Sequence, residues 1–145
     1  MITATPTSTV PLYGAPITLR LAKQVAQAAE EEATRQGWPM VIAIVDSAGH
    51  LVLQQRLDQA QFGSIEVARQ KAETAVRFRR STKVFEDALA QGGIHLRLLA
   101  MTSLTPLDGG IPLVVDGRIV GAIGVSGMQS AQDAQVAQAG VGVLG

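Results

Sequence analysis

Four groups of residues in this chain carry side chains or backbone able to bind or transform a polar small molecule: Arg56 with Asp58, Lys71 with Thr74, the run Ser126-Gly127-Met128, and Asp133. Arg56 and Asp58 stand either side of Leu57 at the end of a predicted strand, so both side chains leave the backbone on one side. A guanidinium can grip a carboxylate through two parallel hydrogen bonds. The pair could therefore clamp a ligand, or pair internally and cap the entry of the helix that follows. Lys71 and Thr74 share one face of a predicted helix. Among Ala68, Ala72 and Ala75, Lys71 is either a snorkelling surface cation or one that reaches into a cleft. Ser126, Gly127 and Met128 lie where a strand gives way to a helix, and the backbone N–H groups there favour a carboxylate or propionate. Asp133, in the first turns of that helix, complements its N-terminus or serves as a carboxylate in a site.

Other chemistries fall away on residue type or spacing. The chain has no cysteine, which removes disulfides, thiolate nucleophiles and Cys-ligated clusters. His50 and His95 are its only histidines and have no neighbouring acidic ligand motif, so no metal site is expected. Either histidine, or Met101 or Met128, could ligate haem iron singly, although a lone His or Met is most often structural. Gly121, Gly124 and Gly127 recur every third residue, but a dinucleotide fingerprint needs G-x-G-x-x-G after a parallel strand. The alternative is that these glycines permit tight strand–helix packing. Ser126 is one residue short of a G-x-S-x-G elbow, and no Ser-His-Asp set can be argued.

The elements that must position these groups follow from periodicity. In the 145 residues, 47% are hydrophobic and only 3% aromatic, so the core is aliphatic. Twelve basic residues balance twelve acidic ones, which gives no electrostatic reason to expect nucleic acid or an anionic membrane surface as partner. Met1 to Pro16 is proline-rich, with no basic start or long apolar run. Residues 1–15 are read as an N-terminal arm, 16–145 as one domain, and the location as cytoplasmic by default. Thr18 caps a helix whose Leu21, Val25, Ala29 and Ala33 repeat at helical spacing up to Gly37. The run Glu30-Glu31-Glu32 is its solvated face. Met40–Asp46 and His50–Arg56 form a hairpin about Ser47-Ala48-Gly49, with Asp46 bonding the turn backbone. Ser64 opens a second long helix that turns Ile65, Ala68, Ala72, Ala75 and Val76 inward. A short helix, Thr82–Gln91, and a strand, Leu96–Leu104, come next. Ile111–Val115 and Arg118–Val125 then form a hairpin whose Asp116-Gly117 turn suits two positive φ angles. Ser130–Ala139 is the last helix. The order α-β-β-α-α-β-β-β-α describes an α/β (α+β) domain: an antiparallel sheet covered by helices in two or three layers.

Several of these segments together carry a family resemblance. Val45-Asp46-Ser47-Ala48-Gly49, Arg56-Leu57-Asp58, the stretch Ala68 to Ala75 with Lys71 and Thr74, Gly109-Gly110-Ile111-Pro112, Gly121 to Gly127, and Gln132-Asp133 resemble the GlcG and HbpS-like haem-binding proteins. The same domain forms the C-terminal part of PduO-type cobalamin adenosyltransferases. The resemblance runs over about residues 16–140. It implies a profilin-like fold, a sheet of about five strands with helices on both faces, and assembly into homo-oligomers, dimers or larger rings. It also implies a tetrapyrrole such as haem or cobalamin as ligand, with links to redox sensing or haem degradation. Leu57 and Gln59 depart from the family's usual Met and Gly, and Met128 replaces a common glycine.

The leading expectation is a small-molecule-binding protein with its cleft between the second helix and the Gly-rich hairpin. Arg56, Lys71, Thr74, Gly109, Gly110, Ser126, Gly127 and Met128 form that cleft, and Arg56 and Lys71 hold an acidic group. The alternative is a lyase, isomerase or hydrolase acting on an organic acid, with Asp133 or Asp58 as general base and Lys71 stabilising negative charge. A purely structural subunit would have no pocket.

Overall fold

The structure, a computed structural model, describes residues 10–145. The chain runs β1 (Leu12–Tyr13), α1 (Leu19–Gln36), β2 (Val41–Asp46), β3 (Leu51–Arg56), α2 (Gly63–Phe78), α3 (Lys83–Gln91), a 3-10 segment (Gly93–Ala100), β4 (Gly110–Val115), β5 (Arg118–Ser126) and α4 (Ser130–Val141), and it ends in a short 3-10 turn. The Thr18 hydroxyl caps α1 by accepting from the Leu21 N–H at 3.1 Å, and Gly37 closes the helix at φ +77°. Asp46 holds the first hairpin turn: its Oδ1 accepts from the N–H groups of Ala48 at 2.9 Å and His50 at 3.0 Å.

β5 is the centre of the sheet. It pairs antiparallel with β4 and β2 and, at its start, parallel with β1, while β3 pairs antiparallel with β2. β2 is buried on both faces, and its alternation sorts the two layers. Met40, Ile42 and Ile44 join Val25, Ala29, Ala33, Val136 and Ala137 in a core beneath α1 and α4. Val41, Ala43 and Val45 face the other way, against Ala68, Ala72, Ala75 and Val76 of α2. Helices thus cover both faces, as the resemblance implied.

Small residues set how closely α2 lies on the sheet. A Cβ on Gly124 would stand 2.0 Å from the Ala68 carbonyl oxygen, and one on Gly110, its cross-strand partner, 2.4 Å from the Lys71 carbonyl oxygen. The glycine series therefore serves tight packing, the second of the two readings its spacing left open. The close approach fixes α2 at a height from which Lys71 reaches past the sheet.

Three expectations are corrected. Leu96–Leu104 is not a strand; it is the 3-10 segment and the loop after it. Ile94, Leu96 and Leu99 are exposed, and the apolar residues of the run are Leu, Ala and Met, which lack the β-branching that favours a pleated surface; Thr102 is its one β-branched residue. The fifth strand is Leu12–Tyr13, from the stretch read as an arm. The Tyr13 hydroxyl donates to the Val76 carbonyl at 2.6 Å and ties β1 to the end of α2. Residues 1–9 of that stretch lie outside the described residues. Ile65 is exposed rather than inward, and the buried face of α2 is Ser64, Ala68, Lys71, Ala72, Thr74, Ala75 and Val76. Within Glu30-Glu31-Glu32, only Glu32 is half-buried; it accepts hydrogen bonds from Arg35, Gln36 and, across from α4, Gln135. Among the described residues no helix is long and apolar enough to cross a membrane.

Candidate functional site

Lys71 is the most deeply buried cation of the chain, 1% exposed, and the small residues around it on α2 leave room for its stem to run inward. Its Nζ donates to the Val125 carbonyl at the end of β5 and to Oδ2 of Asp133, each at 2.9 Å. Asp133, 3% exposed, comes from the first turns of α4. That helix starts in a capping box in which the side chains of Gln129 and Gln132 each accept from the other's backbone. The box orients α4 so that Asp133 turns back towards the preceding loop, where its Oδ1 accepts from the Met128 N–H at 2.9 Å. Three elements distant in sequence thus converge on one buried ion pair.

Electrostatics at the pair are a contest between burial and partners. Burial pushes the Asp133 carboxyl above its ordinary value and outweighs the opposing pull of Lys71 and of the Met128 and Gly127 amides. Asp108, next to the pair, is also buried and also raised: burial is the larger cause, and the nearby Glu86 carboxylate adds to it against the Gly109 amide, Lys83 and Lys71. Asp108 Oδ1 accepts from the Gly109 N–H at 2.8 Å. Gly109, at φ +122°, passes so close to the pair that a Cβ there would stand 3.0 Å from the Lys71 Nζ.

Outside the pair lies an open cleft of about 330 Å³ whose lining includes Lys71, Asp133, Ser126 and Met128 together with Val67 and Leu107. Ser126 is buried, and its hydroxyl donates to Ser64 Oγ at 3.1 Å, which joins β5 to the start of α2. Met128 is 41% exposed at the rim, on a backbone pinned by Asp133.

The structure brings together Lys71, Gly109, Ser126, Gly127, Met128 and Asp133. It places the other candidates elsewhere. The Thr74 hydroxyl donates to the Gln70 carbonyl at 2.8 Å and accepts from the Thr105 N–H at 3.0 Å, so it fastens a loop instead of facing the cleft. Gly110 is packed under α2. Arg56 and Asp58 line a different opening, where the Arg56 guanidinium lies 5.4 Å from the Phe62 ring centroid and is not paired with Asp58. The amides at the start of α4 are also taken: the carboxylate they hold is the chain's own Asp133, not an external one. Asp108 and Leu107 were not foreseen. Their position beside Gly109-Gly110 was the one available signal, because burial of Asp108 depends on α3 and the loop before β4. Among the described residues no group of three His, Asp or Glu side chains is placed to hold a metal ion.

Residues 17–142 match the family described as haem degrading protein HbpS-like. The chain belongs to that family. Among relatives of this HbpS-like chain, Protein GlcG of Escherichia coli is 40% identical over 107 residues, covering 74% of this chain and 78% of GlcG. Corrinoid adenosyltransferase PduO of Salmonella typhimurium is 32% identical over 127 residues, covering 83% of this chain but 37% of PduO. A double mutant of Streptomyces reticuli HbpS superposes with a TM-score of 0.82 at 32% identity, covering 100% of this chain and 98% of that one. The structure of a PduOC–haem complex superposes with a TM-score of 0.80 at 29% identity, covering 88% of this chain and 94% of that one.

Proposed function

We propose that this HbpS-like protein binds a small molecule, and that the molecule is haem, seated at the cleft over Lys71 and Asp133. The observation that carries the reading is a buried ammonium at the floor of an open cleft where Val67, Leu107 and Met128 stand among Gln61, Gln129 and Ser130, in a fold that a relative shares in complex with haem. The donor set suits the group. Lys71 uses two of its three protons on Val125 and Asp133 and can direct the third at a propionate. Leu107 and Val67 offer apolar contact to a macrocycle edge, and the Met128 thioether is a soft donor of the kind that binds haem iron. When bound, haem supplies the redox and oxygen chemistry; the chain supplies the seat.

Binding is favoured over the alternative of acid–base catalysis by Asp133, because that carboxylate is almost fully buried and turned onto Lys71 and the Met128 N–H. A general base needs a lone pair within reach of the proton it abstracts. Exposed Ile94, Leu96 and Leu99, with no net charge to oppose self-association, support the homo-oligomer as part of the same proposal.

Haem titration followed by absorbance tests the reading. The expected result is a saturable Soret shift that Leu107→Asp weakens at least about tenfold, since it sets a carboxylate against an apolar, anionic ligand. An absent shift at high micromolar haem overturns haem as the ligand. Unchanged binding in Leu107→Asp overturns this cleft as its seat.

A further inference from the structure

The motif Arg56 to Gln59 is left unused by the haem cleft, and it lines a separate pair of openings that meet at Asp58 and Gln59. The opening nearer α1 encloses about 470 Å³. Ala33, Pro39 and Leu57 give it an apolar lining, Trp38 forms a half-buried aromatic wall, and Glu30 and Asp58 bring two carboxylates. No Lys, Arg or His lines it. Two cations adjoin its lining in sequence and both are engaged elsewhere: Arg56 lines the adjoining opening and lies on the Phe62 ring, and Arg35 pairs with Glu32. Glu30 spends one oxygen on the Gln55 amide, and Asp58 has no hydrogen bond or ion pair among the described residues. This opening is thus aromatic, apolar and anionic, opposite in sign to the cation at the floor of the haem cleft. It is also where Leu57 and Gln59 depart from the residues that the family resemblance leads one to expect, and Gln59 holds φ at +72°.

We propose that this opening is a second binding site, for a small organic cation with an alkylammonium head. The head sits between Glu30 and Asp58, and its apolar groups lie against Trp38 and Leu57. A carboxylate and an indole face both favour a cation that is weakly hydrated and has hydrocarbon around its charge. An inorganic cation would gain nothing from Trp38 and Leu57, and an anion such as a propionate would be repelled.

Trp38 is the sole tryptophan of the chain, so its fluorescence reports on the site directly. Choline is the probe, and its neutral analogue with carbon in place of the quaternary nitrogen is the control. A saturable change with choline is expected, at least about tenfold weaker for the neutral analogue and for choline with Asp58→Asn, the loss expected for one charged partner near a surface. Asp58 is exposed and unpaired, so that variant retains its fold; unchanged thermal unfolding checks this. Glu30→Gln should weaken choline in the same direction. No saturable response up to about 10 mM choline, an equal response to the neutral analogue, or full affinity in Asp58→Asn each overturns the proposal. Haem binding plays no part in this outcome, so the two sites stand or fall separately.

Discussion

Replacing Lys71 by Met keeps most of the stem volume and removes the charge that Asp133 faces across 2.9 Å. At an effective dielectric of about 20, two unit charges at that distance attract by about 6 kcal/mol. Desolvation of both ions offsets much of that in the intact pair. Removing one partner leaves the other buried and uncompensated, at a cost of about 3–5 kcal/mol. Against a total stability of about 5–15 kcal/mol, this lowers the midpoint of thermal unfolding by about 6–20 °C. Urea unfolding followed by Trp38 fluorescence measures it, in a cycle of Lys71→Met, Asp133→Asn and the double variant. The double variant should be more stable than the sum of the two losses predicts, by about 2 kcal/mol or more. A second signature is the pH dependence. Burial already raises the Asp133 carboxyl above its ordinary 3.8, so its contribution is fully present below that value and is lost as pH rises through the raised native one. Without Lys71 the native value rises further, and Lys71→Met should recover part of its loss as pH falls from neutrality towards the ordinary 3.8. A cost below about 1 kcal/mol for Lys71→Met, or simple additivity in the cycle, would refute the claim that this pair anchors α2, β5 and α4 together.

Two further outcomes follow from the geometry. The Glu32 carboxyl is held down to about 2, chiefly by the Gln135 amide and then by Arg35 and Gln36. Its contribution is present above the ordinary 4.5 and lost as pH falls towards 2, so Glu32→Gln should lower stability at neutral pH, flatten the profile in that window and match the parent chain at its acid end, as acid titration of unfolding will show. Gly124→Ala drives a methyl to 2.0 Å from a helix carbonyl and 2.6 Å from the Ala72 nitrogen, both backbone atoms. A loss of about 3 kcal/mol or more is expected in urea unfolding, and near-native stability would mean that α2 does not lie so tightly on β5.

Local signals in the chain were sufficient for most of the architecture. A cap at Thr18, a left-handed stop at Gly37, the Asp46 turn and the Asp116-Gly117 turn each act through residues a few positions apart. Their effects can therefore be read from neighbours in sequence. The Leu96–Leu104 run failed as a strand because apolarity alone does not separate a strand from a helical turn when the apolar residues are not β-branched. The fifth strand escaped because a two-residue segment has no periodicity; only the edge that β5 offers next to β2 makes Leu12–Tyr13 extended.

The site shows the same division more sharply. The sequence by itself determined that Lys71, Asp133, Gly109 and the Ser126–Met128 turn have the types and spacings for chemistry. Only the tertiary structure decided that Lys71 and Asp133 spend themselves on each other, that the carboxylate on the Met128 amide is Asp133, and that Arg56 and Asp58 belong to another opening. The physical reason is that burial and pairing are long-range properties. A lysine among alanines reads the same whether it snorkels or is enclosed, until the packing of α2 over Gly110 and Gly124 fixes how deep its ammonium must go.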